Sequence, residues 1–180
     1  EVAKTKSALF SSLSKEGAAF INMDDLFISN MPIACKKVKY SFTKSSDYEG
    51  SWSSDRQTLT INNISINLSA ASETMGLNAL AVFSIASYLK MDAHAIKNQI
   101  ESFQLPAGRG NILHFQDIMV INDSYNANLE SARTGINNLT SLSKGSRKIA
   151  VIGDMLELGD LEEDHHKTLG KYLSDKKVDA

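Results

Sequence analysis

A single cysteine, Cys35, stands in 180 residues. That excludes an intrachain disulfide framework and a metal site built on several thiolates. It fits a reducing, cytoplasmic compartment. Cys35 has no catalytic partner near it in sequence and reads as a buried or idle side chain. No apolar run approaches the length that spans a bilayer. The net charge is only −2, so the chain lacks the basic footprint that nucleic acid or an acidic membrane surface selects. No internal repeat and no low-complexity segment is present. Glu1 is preceded by no Met and no signal-peptide pattern, and 176–180 reads as the opening of a further strand. The expectation is a piece of a longer protein.

What is present is the composition of a globular chain, 42% hydrophobic, long enough for one large or two small domains. The informative stretch is 118–128. Apolar residues 118–121 read as a short buried strand that empties into a polar loop, Asp123-Ser124-Tyr125-Asn126-Ala127-Asn128. A helix follows, with Leu129, Ala132, Ile136 and Leu139 on one stripe. A second unit repeats the design: apolar 148–152, then a loop with Asp154 and Glu157. Its helix starts behind Asp160-Leu161-Glu162-Glu163, which has capping-box spacing. Two strands that end in acidic loops and feed helices describe an open α/β sheet, in which ligands sit beyond the carboxyl ends of the strands.

Upstream, 1–13 has partly helical apolar spacing, with Gly17 placed for a left-handed cap. Residues 18–21, 37–42 and 48–54 read as strands, and 27–32 as a short helical or looped link. Residues 58–68 read as a hairpin: Leu59 and Ile61, then Ile64, Ile66 and Leu68, alternate around Asn62-Asn63, a pair that tolerates positive φ. This part resembles an antiparallel flap. Residues 72–91 form a helix with Leu77, Leu80, Ala81, Ile85, Tyr88 and Leu89 as its apolar set. A second helix starts at Asp92, an N-cap. Pro106, Gly108 and Gly110 mark a hinge or boundary. Beyond it, 112–115 and 118–121 pair around Gln116 and Asp117.

Three groups of residues together resemble one family. Asp123-Ser124-Tyr125-Asn126-Ala127-Asn128 is followed by Gly153-Asp154-Met155-x-Glu157-Leu158-Gly159 and then by His166. Gly108-Arg109, Asn78-Ala-Leu-Ala81 and Ala3-x-x-Lys6 fall in the same order upstream. The set is similar to the Mur ligases, within them to the branch that joins D-alanyl-D-alanine to UDP-N-acetylmuramoyl-tripeptide in peptidoglycan synthesis. The resemblance covers nearly the whole chain and is most specific over 105–170.

The resemblance implies an α/β fold. Residues 1–106 would be the second half of a central ATPase domain with its antiparallel β flap, and 107–180 a truncated Rossmann-like C-terminal domain. It implies ATP and Mg²⁺ as cofactors. ATP phosphorylates a carboxylate of the UDP-muramoyl-peptide, and the incoming amine attacks the acyl phosphate. It implies a cytoplasmic, monomeric full-length protein without nucleic-acid partners. No Gly-x-x-x-x-Gly-Lys-Thr/Ser occurs, so the phosphate-cradling loop is missing here. The chain alone is expected to be inactive.

Residue by residue, the resemblance gives Lys6 a catalytic role, as a carbamylated ligand to Mg²⁺; otherwise it is a solvated helix lysine. Asn78 would meet adenine with an amide that both donates and accepts, although Thr74 and Met75 stand where the family pattern has His and Asn. Arg109 would fork onto phosphate oxygens. Asn111 stands where an acidic residue is frequent. Asp123 would take the ribose hydroxyls, or else cap the next helix. Asn126 and Asn128 have the same two readings, cap or nucleotide contact. Tyr125 is grouped with the nucleotide-binding loop and reads as packing at the domain interface. Asp154, Glu157 and His166 would face the peptide end of the substrate. His165 points about 100° away from His166 on a helix, and His94 and His114 read as surface residues. Two other functions stay open: a related ligase acting on another acceptor or on polyglutamate, and a non-catalytic ligase-like scaffold that binds nucleotide or protein.

Overall fold

The computed structural model describes residues 2–69, 72–143 and 145–179. The chain forms two compact units, Glu1–Phe103 and Gln104–Ala180.

In the first unit, α1 (Val2–Ser11) leads to β1 (Ala18–Asn22), the short α2 (Leu26–Ser29), β2 (Lys36–Ser41) and β3 (Tyr48–Ser53). The hairpin β4 (Thr58–Ile61) and β5 (Ile64–Asn67) follows, then α3 (Glu73–Tyr88) and α4 (Ala93–Ser102). One five-stranded sheet runs in the order β1-β2-β3-β4-β5. β1, β2 and β3 are parallel, while β3-β4 and β4-β5 are antiparallel. The antiparallel part is thus continuous with the parallel part and adds its hairpin at the edge. Asn62 and Asn63 turn that hairpin with φ of 48° and 67°, the left-handed pair a two-residue turn requires.

Alternation sends Leu59, Ile61 and Ile66 to one face, where they are fully buried against Leu80 and Phe83 of α3 and Ile96 of α4. Each such side chain contributes about 1.5–3 kcal/mol on burial. The inward face of α3 is Gly76, Ala79, Leu80, Phe83 and Ser84. That corrects the expected stripe: Ile85 and Leu89 are exposed. α3 is apolar nearly all round, so periodicity alone did not choose its face. Gly76 is required there, since a Cβ would lie 2.6 Å from Cε3 of Trp52. Gly17 does not adopt the expected left-handed cap; α1 ends at Ser11, and the Gly17 N–H instead closes a turn onto the Ser14 carbonyl at 3.0 Å.

At the carboxyl end of β1, Asp24 accepts hydrogen bonds from Ser41 Oγ (2.5 Å), Phe42 N (2.7 Å) and Thr43 Oγ1 (2.6 Å). Burial raises its pKa, but these bonds outweigh it and leave the carboxyl below its ordinary value.

The second unit has the hairpin β6 (Asn111–Phe115) and β7 (Ile118–Asn122), then α5 (Leu129–Leu142), a 3-10 turn (Gly159–Leu161) and α6 (Glu162–Asp175). Its core is Ile136, Met155 and Leu169, with Leu129, Ala132 and Tyr172 around them. Three sequence expectations are corrected here. β7 is not buried: Ile118 is 65% exposed, and with Leu113, Phe115 and Val120 it forms an open apolar face. Residues 148–152 form no strand. Among the described residues nothing builds a ladder beside them, and only Lys148 makes a backbone pair, with Asp179. Asp160 caps nothing; the 3-10 turn occupies the start of α6, and Leu161 takes the N-cap position without a side-chain bond.

Among the described residues no helix is long and apolar enough to cross a membrane.

Candidate functional site

Asn111 closes the turn that carries Arg109. Its Nδ2 donates to the Leu105 carbonyl at 2.9 Å, and its Oδ1 accepts from Arg109 N at 3.3 Å. An aspartate could only accept, so the amide does here what the more frequent acidic residue would not. Gly108 has φ +78°, and a Cβ would come within 3.1 Å of Tyr125 N. That close approach lets Tyr125 N donate to the Gly108 carbonyl at 3.1 Å, while Gly110 N donates to Asn122 O at 2.8 Å. Two main-chain bonds therefore clamp the 108–110 turn to the loop that leaves β7.

The clamp sets Arg109 over the ring of Tyr125, its guanidinium carbon 3.8 Å from the ring centroid. Both side chains are exposed. Asp123 lies beside them. Partial burial pushes its carboxyl above the ordinary range, and the positive charge of Arg109 opposes that rise. No ion pair within 4 Å engages Arg109 among the described residues. The guanidinium is held over the ring with no ion pair among the described residues, which suits an oxyanion ligand. Asp123 does not cap α5. Asn128 does, accepting from Ser131 N at 2.9 Å in a reciprocal capping box. Asn126 Oδ1 accepts from its neighbour Ala127 N at 2.9 Å.

The second loop is pinned through Met155, which is 1% exposed and packs on Ile136 and Leu169. Sequence reading gave this residue no role, since nothing in the sequence sets it apart from Leu156 and Leu158, the other apolar side chains between Gly153 and Gly159. Asp154, Asp160, Glu162, Glu163, His166 and Lys167 line an open recess of about 510 Å³. Glu157, at φ +62°, is not among its lining residues. Both nitrogens of His166 are engaged within the protein: Nε2 accepts from Met155 N at 3.2 Å, and Nδ1 bonds the Glu162 carbonyl at 2.8 Å. His165 Nδ1 is buried without a partner among the described residues.

The structure thus brings Arg109, Asp123 and Tyr125 together, with Asn126 and Asn128 further along the same loop, and separately brings Asp154 to His166. In the first unit, Lys6 stands exposed on α1 and Asn78 exposed on α3. His94 and His114 are exposed as expected. Among the described residues no group of three His, Cys, Asp or Glu gathers that could hold a metal ion. The residues present do not by themselves fit Mg²⁺.

A family model described as the Mur ligase middle domain matches residues 1–86, and one described as Mur ligase, glutamate ligase domain matches 108–180. The UDP-N-acetylmuramoyl-tripeptide–D-alanyl-D-alanine ligase of Bacillus subtilis (strain 168) is 27% identical over 184 residues, covering 99% of this chain and 40% of that protein. The ligase of the same name from Borreliella burgdorferi is 33% identical over 92 residues, 51% of this chain and 20% of that protein. A crystal structure of MurF from Acinetobacter baumannii superposes with a TM-score of 0.83 at 25% identity, covering 99% of this chain and 41% of that one. MurF ligase from Thermotoga maritima in complex with ADP gives 0.79 at 21% identity, over 96% and 41%, a likeness of fold alone. The chain spans about 40% of the length of the first of these relatives.

Proposed function

This chain belongs to the Mur ligase family, and from that premise we propose that it carries part of an ATP-dependent ligase joining D-alanyl-D-alanine to UDP-N-acetylmuramoyl-tripeptide. The substrates are those in the names of its relatives. On this reading 1–106 is the second half of the middle domain and 107–180 a Rossmann-like C-terminal domain. The full-length protein works as a cytoplasmic monomer.

The observation that carries the reading is the clamped turn, which sets the Arg109 guanidinium over Tyr125 and beside Asp123. Arg109 takes phosphate oxygens of ATP. Asp123 accepts from the ribose hydroxyls, and its raised pKa fits a carboxyl short of partners in the free protein. Asn126 extends the nucleotide wall, and Asn128 holds the start of α5 behind it. Asn78 meets the adenine edge. Asp154, Glu157 and His166 belong to the side that faces the peptide end of the substrate. Lys6, when carbamylated, would supply a single Mg²⁺ ligand, the remaining ones coming from outside the described residues. The described residues supply no other ligand cluster, and no step is assigned through the metal. When bound, ATP supplies the phosphoryl group that activates the substrate carboxylate; positioning by these side chains then brings the amine to it.

The test is phosphate release by the full-length gene product. Release that requires both UDP-N-acetylmuramoyl-tripeptide and D-alanyl-D-alanine supports the ligase. The absence of any release that depends on both substrates supports the second reading, a ligase-like scaffold. Thr74 and Met75, which depart from the family pattern at the start of α3, favour that alternative.

A further inference from the structure

His166 joins α6 to the loop 153–159. One turn back along the helix, the Glu162 carbonyl lies 2.8 Å from Nδ1. Across the gap, the Met155 backbone N–H points at Nε2 from 3.2 Å. A carbonyl can only accept and an amide N–H can only donate, so Nδ1 carries the proton and Nε2 offers its lone pair. The ring is the neutral Nδ1–H tautomer, and neither nitrogen is left for a ligand.

The loop needs such a hold. Glu157 and Gly159 both sit at positive φ, 62° and 55°. That region is disfavoured for an L residue such as Glu157, whereas Gly159 adopts it freely. Met155 is anchored by its side chain in the core and by its amide on His166. Asp154, next to it in the chain, lines the recess together with His166 and Lys167. Fixing the Met155 amide fixes the peptide plane between Asp154 and Met155, and with it the place of the Asp154 Cα beside the recess.

We infer that His166 is a positioning residue: through the Met155 amide it sets the 153–159 loop and places Asp154 beside the recess, and it takes no part in holding substrate. The functional half of this inference rests on the reading that Asp154 faces the peptide end of the substrate.

Two measurements separate the halves. In the 180-residue chain, ¹⁵N spectra of the ring should give the Nδ1–H tautomer, and amide exchange should find Met155 N–H protected. His166→Gln places an amide oxygen near Nε2 and should keep that protection. His166→Ala should speed exchange at Met155 about tenfold, the loss of roughly one hydrogen bond, while the Leu169 amide in α6 stays protected and reports that the unit is folded. Unchanged Met155 exchange in His166→Ala, or an Nε2–H tautomer, overturns the latch.

In the full-length protein, His166→Ala should raise the KM for UDP-N-acetylmuramoyl-tripeptide about 10- to 100-fold through misplacement of Asp154, with His166→Gln restoring most of it. If His166→Gln is as impaired as His166→Ala while its Met155 amide stays protected, the ring itself meets substrate and the positioning role is overturned. Asp154→Asn with an unchanged KM overturns the reading of Asp154 and leaves the latch standing.

Discussion

Arg109 lies over the ring of Tyr125, the guanidinium carbon 3.8 Å from the ring centroid. Neither residue reaches this position through its own local preference. The stack exists because Gly108, at φ +78°, lets the Tyr125 amide bond its carbonyl. A stack of this kind at an exposed site is worth about 0.5–1 kcal/mol. Tyr125→Ala in the full-length protein should therefore raise the KM for ATP by roughly 2- to 5-fold with little change in kcat. Tyr125→Phe, which keeps the ring face, should behave as wild type. Steady-state kinetics decide it, and equal defects in the two variants would assign the effect to the hydroxyl.

Gly108→Ala should be worse than either. The added Cβ meets Tyr125 N at 3.1 Å in a left-handed backbone. The two strained terms act on the same clamp, so both the bond from Tyr125 and the placement of Arg109 are lost. Disappearance of the Tyr125 amide from the protected set in hydrogen exchange is the readout. A protected amide in this variant would show that the clamp does not depend on glycine.

Gly76 tests the first unit. A methyl there would sit 2.6 Å from the Trp52 ring, and overpacking of this kind costs about 1–3 kcal/mol. Gly76→Ala should lower the urea midpoint of the chain, and Gly76→Ala with Trp52→Leu should recover part of the loss. An unshifted midpoint in the single variant would mean that the ring has room to move.

The hairpin 58–68 was legible because two independent local signals agreed: alternation of Leu59, Ile61 and Ile66, and an Asn-Asn turn. The Asp92 cap was legible for a similar reason, and its carboxylate does accept from Ala95 N at 2.9 Å. The inward face of α3 was not, because Ile85 and Phe83 are equally apolar and only the sheet chooses between them. At 148–152 the sequence carries a real β signal, but a strand is a property of a ladder, and beyond Lys148 the described residues offer no partner. The grouping of Arg109 with Asp123 followed from resemblance in order; their closeness required the Gly108 clamp, which no periodicity encodes. Met155 was invisible for the same reason, since its burial depends on how α5 and α6 meet.

Asp24 predicts a pH dependence. Its folded pKa is below the ordinary value of 3.8, so its contribution to stability is present above that value and is lost as pH falls through the folded pKa. Asp24→Asn keeps an acceptor but no charge, and should cost about 1–2 kcal/mol near neutrality. Wild type and variant should converge in denaturant titrations as the pH drops below about 4. A gap that does not narrow at all as the pH falls would trace the loss to side-chain geometry instead of charge.

Asp123 runs the opposite way. Burial raises its pKa and Arg109 only partly offsets that. A carboxyl with a raised folded pKa gives stability below its unfolded pKa and loses it as pH rises through the folded one. At neutral pH the ionised group is therefore a strain on the free chain. With α5 capped by Asn128, Asp123 makes no helix-capping bond among the described residues, and only the charge of Arg109 compensates. Asp123→Asn should melt at or above the wild-type temperature at pH 7, while the same change in the full-length protein should weaken nucleotide binding. A side chain that destabilises the fold and yet supports the ligand is one held for binding. A lower melting temperature for Asp123→Asn would show instead that the carboxylate has a structural partner, and the ribose assignment would lose its main support.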